Sequence, residues 1–131
     1  MIVLDASAAI DYLIGGPAFE RIRARVDKPG QALHAPHLLD LEVAQALRRL
    51  TLREAVSAER ADEALWDLAD LRLTRYPHAA LLPRVWELRA NMSVFDAAYV
   101  ALAETLDVPL ITTDARLART PGHRAMIDLL A

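Results

Sequence analysis

The chain has 131 residues, 54% of them hydrophobic and 25% charged, with no cysteine and a formal net charge of -3. That length and apolar content suit one domain with a full core, and the missing cysteines exclude a disulfide scaffold, a thiolate nucleophile and a cysteine-ligated zinc site. No apolar run approaches the ~20 residues of a membrane span, and the first residues lack the basic and apolar regions of a secretion signal, so a soluble, cytoplasmic protein is expected. Aromatic residues make up only 5% of the chain, which leaves Ala, Leu, Val and Ile to build the core and favours helices packed on a sheet.

In chain order, residues 1–4 form an apolar run read as the central strand of a parallel sheet, ending at Asp5. Ser7 opens a helix over 7–14 that Gly15 and Gly16 stop, and Pro17 starts a second over 18–26 with Phe19, Ile22 and Val26 inward. A turn at Lys28 to Gly30 leads to a brief strand over 32–35. The longest amphipathic helix spans 38–53, with Glu42 in its first turns. Ser57 caps a helix over 58–71 whose inward residues are read as Ala61, Leu65, Leu68 and Leu71. An alternating strand follows over 71–76, then a helix over 78–90 with Pro83 in its first turn. Ser93 caps the next helix, placing Asp96 in its first turn. A turn at Asp107 to Pro109 gives way to a buried strand over 110–113, and 126–130 is expected as a last edge strand. Alternating strands and helices argue for a three-layer α/β/α domain over 1–131 with a mostly parallel sheet.

Four acids fall at corresponding places: Asp5 after the first strand, Glu42 after the second, Asp96 in a first helical turn and Asp114 after the fourth strand. Ligands of open α/β sheets bind outside the carboxyl ends of the strands, so these acids can converge. Each alone is a common helix cap or dipole partner; their joint placement carries the chemistry. Crowded carboxylates raise one another's pKa unless a cation neutralises them, and oxygen-only ligands select Mg²⁺ or Mn²⁺ over zinc. An ion held so can activate water and orient a phosphate, which points to metal-dependent nucleic-acid cleavage. The net charge is unlike that of a typical nucleic-acid binder, yet all but one of the 15 basic residues are arginines suited to phosphate contacts, Lys28 being the exception.

Four segments resemble the PIN-domain family, specifically the VapC-type ribonuclease toxins of bacterial toxin-antitoxin pairs. They are Ile2-Val-Leu-Asp5-Ala-Ser7-Ala, Pro36-His-Leu-Leu-Asp-Leu-Glu42-Val-Ala-Gln-Ala-Leu, Ser93-Val-Phe-Asp96-Ala-Ala-Tyr99-Val-Ala-Leu-Ala and Thr112-Thr-Asp114-Ala-Arg-Leu-Ala. The resemblance implies a PIN-like fold, a Mg²⁺ or Mn²⁺ site made by Asp5, Glu42, Asp96 and Asp114, and endonucleolytic cleavage of RNA by activated water. It implies that Ser7 and Thr112 hydrogen-bond the carboxylates and that Asn91 borders the site. It further implies a homodimer silenced by a cognate antitoxin whose C-terminal segment lies across the active-site groove. Two departures from the pattern are Phe95, where a Tyr is often found, and Arg116, where some PIN domains carry a further Asp.

Among the remaining residues, Arg116 and Arg119 beside Asp114 are candidates for RNA contact, as are Arg48, Arg49 and Arg53, for which a solvated helix face is the better reading. His34 and His37 share an H-x-x-H spacing, but Pro36 between them favours solvated loop histidines over metal ligands. Trp66 and Trp86 read as core or dimer-interface residues, and Tyr99 packs beneath the site. Competing readings are a housekeeping RNA-processing or DNA-cutting PIN nuclease and a non-catalytic nucleic-acid-binding PIN module. A receiver-like domain would need a Lys after a late strand, and a haloacid-dehalogenase-like phosphatase an Asp at position 7; neither is present.

Overall fold

Short, largely apolar runs that stop near a helix-capping acid or at a proline become the three inner strands, and two mixed polar and apolar segments become the edges. In the computed structural model, which describes residues 1–131, these are β1 (Ile2–Leu4), β2 (Leu33–Pro36), β3 (Leu73–Tyr76), β4 (Leu110–Thr112) and β5 (Ile127–Leu129). They form a five-stranded sheet in the order β3-β2-β1-β4-β5, and every pairing is parallel. The expected central position of β1 and edge position of the last strand are both found.

Parallel strands need crossovers, here supplied by α1 (Ala6–Ile14), α2 (Phe19–Val26), α3 (Leu38–Leu52), α4 (Ala58–Asp70), α5 (Leu82–Glu87), α6 (Val94–Leu106) and α7 (Ala115–Ala118). Alternation along β1 divides the core: Ile2 and Leu4 join Ala18, Ile22 and Val26 of the α2 side, whereas Val3 joins the larger cluster under α3, α4, α5 and α6. Helix α6 is buried continuously from Ala97 to Ala103, because small alanines let it lie directly across β1 and β2. Ser57 and Ser93 cap α4 and α6, accepting from the Arg60 and Asp96 amides at 3.1 Å each. Gly15 ends α1 at φ 70°, the left-handed conformation that glycine adopts without strain. No helix is long and apolar enough to cross a membrane.

Several local expectations are corrected. The helix expected over 78–90 is a 3₁₀ turn at Ala79–Leu81 followed by α5, since Pro83 has no amide to continue the ladder back through that turn. The inner face of α4 is Ala61, Ala64 and Leu68; Leu65 is exposed, because the close approach of α1 and α3 selects alanine over leucine. Trp66 and Trp86 are 73% and 62% exposed, so neither is a core residue, and the Trp86 ring lies under the Arg89 guanidinium. The four-residue helix α7, capped by Asp114, is additional to the elements expected from the sequence. His37 is exposed, but His34 is buried within β2, its Nδ1 2.7 Å from the Tyr76 hydroxyl and its Nε2 without a partner.

Burial, reinforced by the nearby chain N-terminus, lowers the His34 pKa. A histidine depressed in this way stabilises the fold fully above its unfolded value of ~6.5 and progressively less as pH falls below it. Wild-type stability is therefore expected to carry a His34 contribution that drops by at most ~1.4 kcal/mol per pH unit below ~6.5. Urea unfolding of wild type and His34→Gln from pH 8 to 5 checks this: the gap between them should shrink on acidification.

Candidate active site

Parallel pairing sets β1 and β4 side by side with Leu4 opposite Ile111, so both chains leave the sheet at the same edge. Asp5 follows β1 and caps α1, its Oδ1 accepting from the Ala8 amide at 2.9 Å and the Ser7 hydroxyl at 2.6 Å. Its Oδ2 accepts from the Thr112 hydroxyl at 2.5 Å. Ser7 Oγ in turn accepts from the Thr113 amide at 3.0 Å, and Thr112 Oγ1 from the Asp114 amide at 3.0 Å. Both hydroxyl protons thus point at Asp5, and the 3.2 Å approach of the two hydroxyl oxygens is left without one of its own. This network joins the ends of β1 and β4 and fixes Asp5 rigidly.

The other three acids arrive from helices. Asp114 caps α7, its Oδ1 accepting from the Arg116 amide at 2.9 Å. Asp96 sits in the first turn of α6 and Glu42 in the second turn of α3. Glu42 Oε1 accepts from the buried Tyr99 hydroxyl at 2.7 Å. Tyr99, which lies one turn beyond Asp96, is held far above the ordinary phenol range by burial and by the Glu42 carboxylate, so it is a fixed donor.

All four acids line one cleft of about 550 Å³, together with Ser7, Asp11, Gln45, Arg49, Thr113 and Arg116. Gln45 is a site residue that the sequence does not single out, and Arg49 stands in the cleft and not on a solvated face, because positions 42, 45 and 49 share one face of α3. Asp11 reaches the cleft from α1, and Thr112 lies beneath it, fully buried. Two expected site residues stand elsewhere. Asn91 packs its side-chain amide against Gly122, where an added Cβ would fall 2.0 Å from Nδ2, and is not part of the cleft lining. Arg119 is exposed beyond α7 and does not line the cleft. A second cleft of about 470 Å³ between α1, α2 and α4 has most of its polar groups paired, Tyr12 and Arg23 both on Asp27.

Five carboxylates face two guanidinium groups in the acidic cleft. Burial pushes Asp5 up from 3.8 to about 6, with the Asp96 charge adding to it and the hydroxyls opposing. Glu42 and Asp96 are also raised, chiefly by burial and then by neighbouring carboxylates, against the Tyr99 bond and the Arg116 charge respectively. The donor set is oxygen only and overcharged, which fits a hard divalent cation such as Mg²⁺ or Mn²⁺. As placed, the carboxylates are spread around the cleft, and no three already cage an ion.

The raised Asp5 pKa has a stability consequence. The folded state takes up a proton that the unfolded state releases, so stability falls as pH rises from 3.8 to about 6 and the loss is complete above that. Asp5→Asn is therefore expected to stabilise the protein in EDTA at pH 7.5 by up to ~3 kcal/mol, with the difference closing toward pH 4. Chemical denaturation across that pH range measures it.

A family model described as PIN domain matches residues 2–123. The VapC ribonuclease Mb0985 of Mycobacterium bovis is 47% identical over 131 residues, covering 99% of this chain and 98% of that protein. Ribonuclease VapC12 of Mycobacterium tuberculosis is 41% identical and covers 100% of both. In fold, the chain is similar to a component of the crystal structure of VapBC2 from Rickettsia felis bound to a DNA fragment from their promoter, with a TM-score of 0.70 at 13% identity and 100% of both chains covered. With a parallel sheet that gathers four acids at one edge, a full-length family match and relatives above 40% identity, the chain belongs to the PIN-domain family, among the VapC ribonucleases.

Proposed function

We propose that residues 1–131 form a single PIN-like nuclease domain acting as a Mg²⁺- or Mn²⁺-dependent endoribonuclease, the toxin of a cytoplasmic toxin-antitoxin pair. The observation that carries the reading is the convergence of Asp5, Glu42, Asp96 and Asp114 on one cleft of a VapC-family fold. These four carboxylates would hold the ion, which when bound activates a water nucleophile and stabilises charge on the scissile phosphate. Ser7 and Thr112 keep Asp5 in a single orientation, and Tyr99 does the same for Glu42. Arg49, facing the acids from α3, is placed to hold an RNA phosphate in the cleft, with Arg116 on the opposite wall. Arg119 would contact RNA only outside it.

A protein partner is supported by a patch of exposed apolar residues, Leu41, Leu82, Val94 and Phe95, set around the half-buried Leu38 and adjoining the cleft through Glu42 and Gln45. Its occupants would be a cognate antitoxin and, as a homodimer, a second copy of the chain. The fold relative from Rickettsia felis is itself a toxin-antitoxin complex, which supports the first.

Purified, antitoxin-free protein incubated with total RNA and Mg²⁺ or Mn²⁺ should yield discrete fragments. EDTA should abolish them, and Asp96→Asn should slow their formation by at least ~100-fold, since even an outer partner of a metal ligand is worth 10- to 100-fold. Absence of cleavage by the folded protein with either ion, or cleavage that persists in EDTA, would overturn the reading.

A further inference from the structure

Of the four acids, Asp96 and Asp114 have a side-chain cation within ion-pair distance, and for both it is Arg116. A single guanidinium nitrogen, Nη2, stands 3.5 Å from Asp114 Oδ2 and 4.0 Å from Asp96 Oδ2, spanning carboxylates that arrive on two different helices. The geometry leaves the two acids little choice of cation. Asp114 uses Oδ1 to cap α7, accepting from the Arg116 and Leu117 amides, so Oδ2 is the oxygen left facing Asp96. The Arg116 head occupies the space between these two oxygens, where like charges most need neutralising.

The contact is also loose. The Arg116 side chain is 80% exposed, it meets each acid through one nitrogen and not as a bidentate fork, and its 3.5 Å bond to Asp114 is at the limit of hydrogen bonding. Its backbone is fixed independently, the amide on Asp114 and the carbonyl accepting from the Thr120 hydroxyl at 3.0 Å. The head can therefore leave while α7 stays in place.

We propose that Arg116 is a built-in counter-ion that competes with the divalent cation for Asp96 and Asp114, so that ion binding requires its displacement. The proposal rests on the metal-site reading above. A compact ion of twice the charge outcompetes a singly held guanidinium once its concentration is sufficient, and Arg116 sets how much is sufficient.

Isothermal titration of Mn²⁺ at fixed pH and ionic strength into full-length, antitoxin-free protein tests this without recourse to activity. The variants are Arg116→Gln, Arg116→Lys, Asp96→Asn and Arg119→Gln, the last removing an equal charge from the same region outside the cleft. Arg116→Gln should tighten Mn²⁺ binding by about ten-fold, the sum expected of two weak exposed ion pairs, with Arg119→Gln within about two-fold of wild type. Arg116→Lys should fall between. Equal effects of Arg116→Gln and Arg119→Gln would reduce Arg116 to general charge and overturn the proposal, as would weaker binding in Arg116→Gln, which would make the guanidinium an organiser of the carboxylates. If no protein in the series binds Mn²⁺, or Asp96→Asn binds it as well as wild type, the metal-site reading fails first and the competition fails with it.

Discussion

The parallel pairing of β1 with β4 is the constraint on which the site depends. Because Leu4 lies opposite Ile111, the residues that leave each strand meet at one edge, and Asp5 falls within reach of Thr112. Without that register Asp5 would be an ordinary helix cap. With it, the carboxylate is buried against two hydroxyls and faces the acids delivered by α3, α6 and α7. Helix α6 reverses direction relative to the sheet, which returns its N-terminus, and Asp96, to the same edge.

Energetically the cleft works against the fold that makes it. Burial of Asp5, with Glu42 and Asp96 raised beside it, leaves negative charge poorly solvated and only partly matched by Arg49 and Arg116. Such strain is expected where a site is built for a ligand absent from the chain itself. The surroundings offset it with local order: the Ser7 and Thr112 bonds to Asp5, the Tyr99 bond to Glu42 and the Ser93 cap that seats Asp96. Farther away, Arg84 grips the nearly buried Glu104 at 2.8 and 3.1 Å and ties α5 to α6, the helix that carries Asp96.

The parts legible in the sequence were those written in local signals. Asp5 and Asp114 each follow a strand and cap a helix, Asp96 sits in the first turn of another, and the caps Ser57 and Ser93 and the stop at Gly15 announce themselves within a few residues. The hidden parts depend on partners distant in the chain. Glu42 and Tyr99 are 57 residues apart, and nothing local in Tyr99 says that its hydroxyl will meet a carboxylate. His34 follows the same logic: Pro36 suggests a loop, but pairing with β1 and β3 draws the residue into the sheet beside Tyr76. Arg49 has the local pattern of a solvated face, and only the cleft that Glu42, on the same face of α3, helps to line gives it a place in the site. Leu65, Trp66 and Trp86 misled in the opposite way, since hydrophobicity marks a candidate for burial but only packing geometry decides which face of α4 or α5 is inward. Asn91, close in sequence to the third acid, is turned aside toward Gly122.

The most direct test of the central claim, that strand pairing assembles an ion site from four separated acids, is anomalous diffraction from crystals of the protein grown with Mn²⁺. The expected result is an anomalous peak in the acidic cleft, bonded to carboxylate oxygens of Asp5, Glu42, Asp96 and Asp114, directly or through water. A cleft without a peak at saturating Mn²⁺, or a peak ligated by other residues, would contradict it.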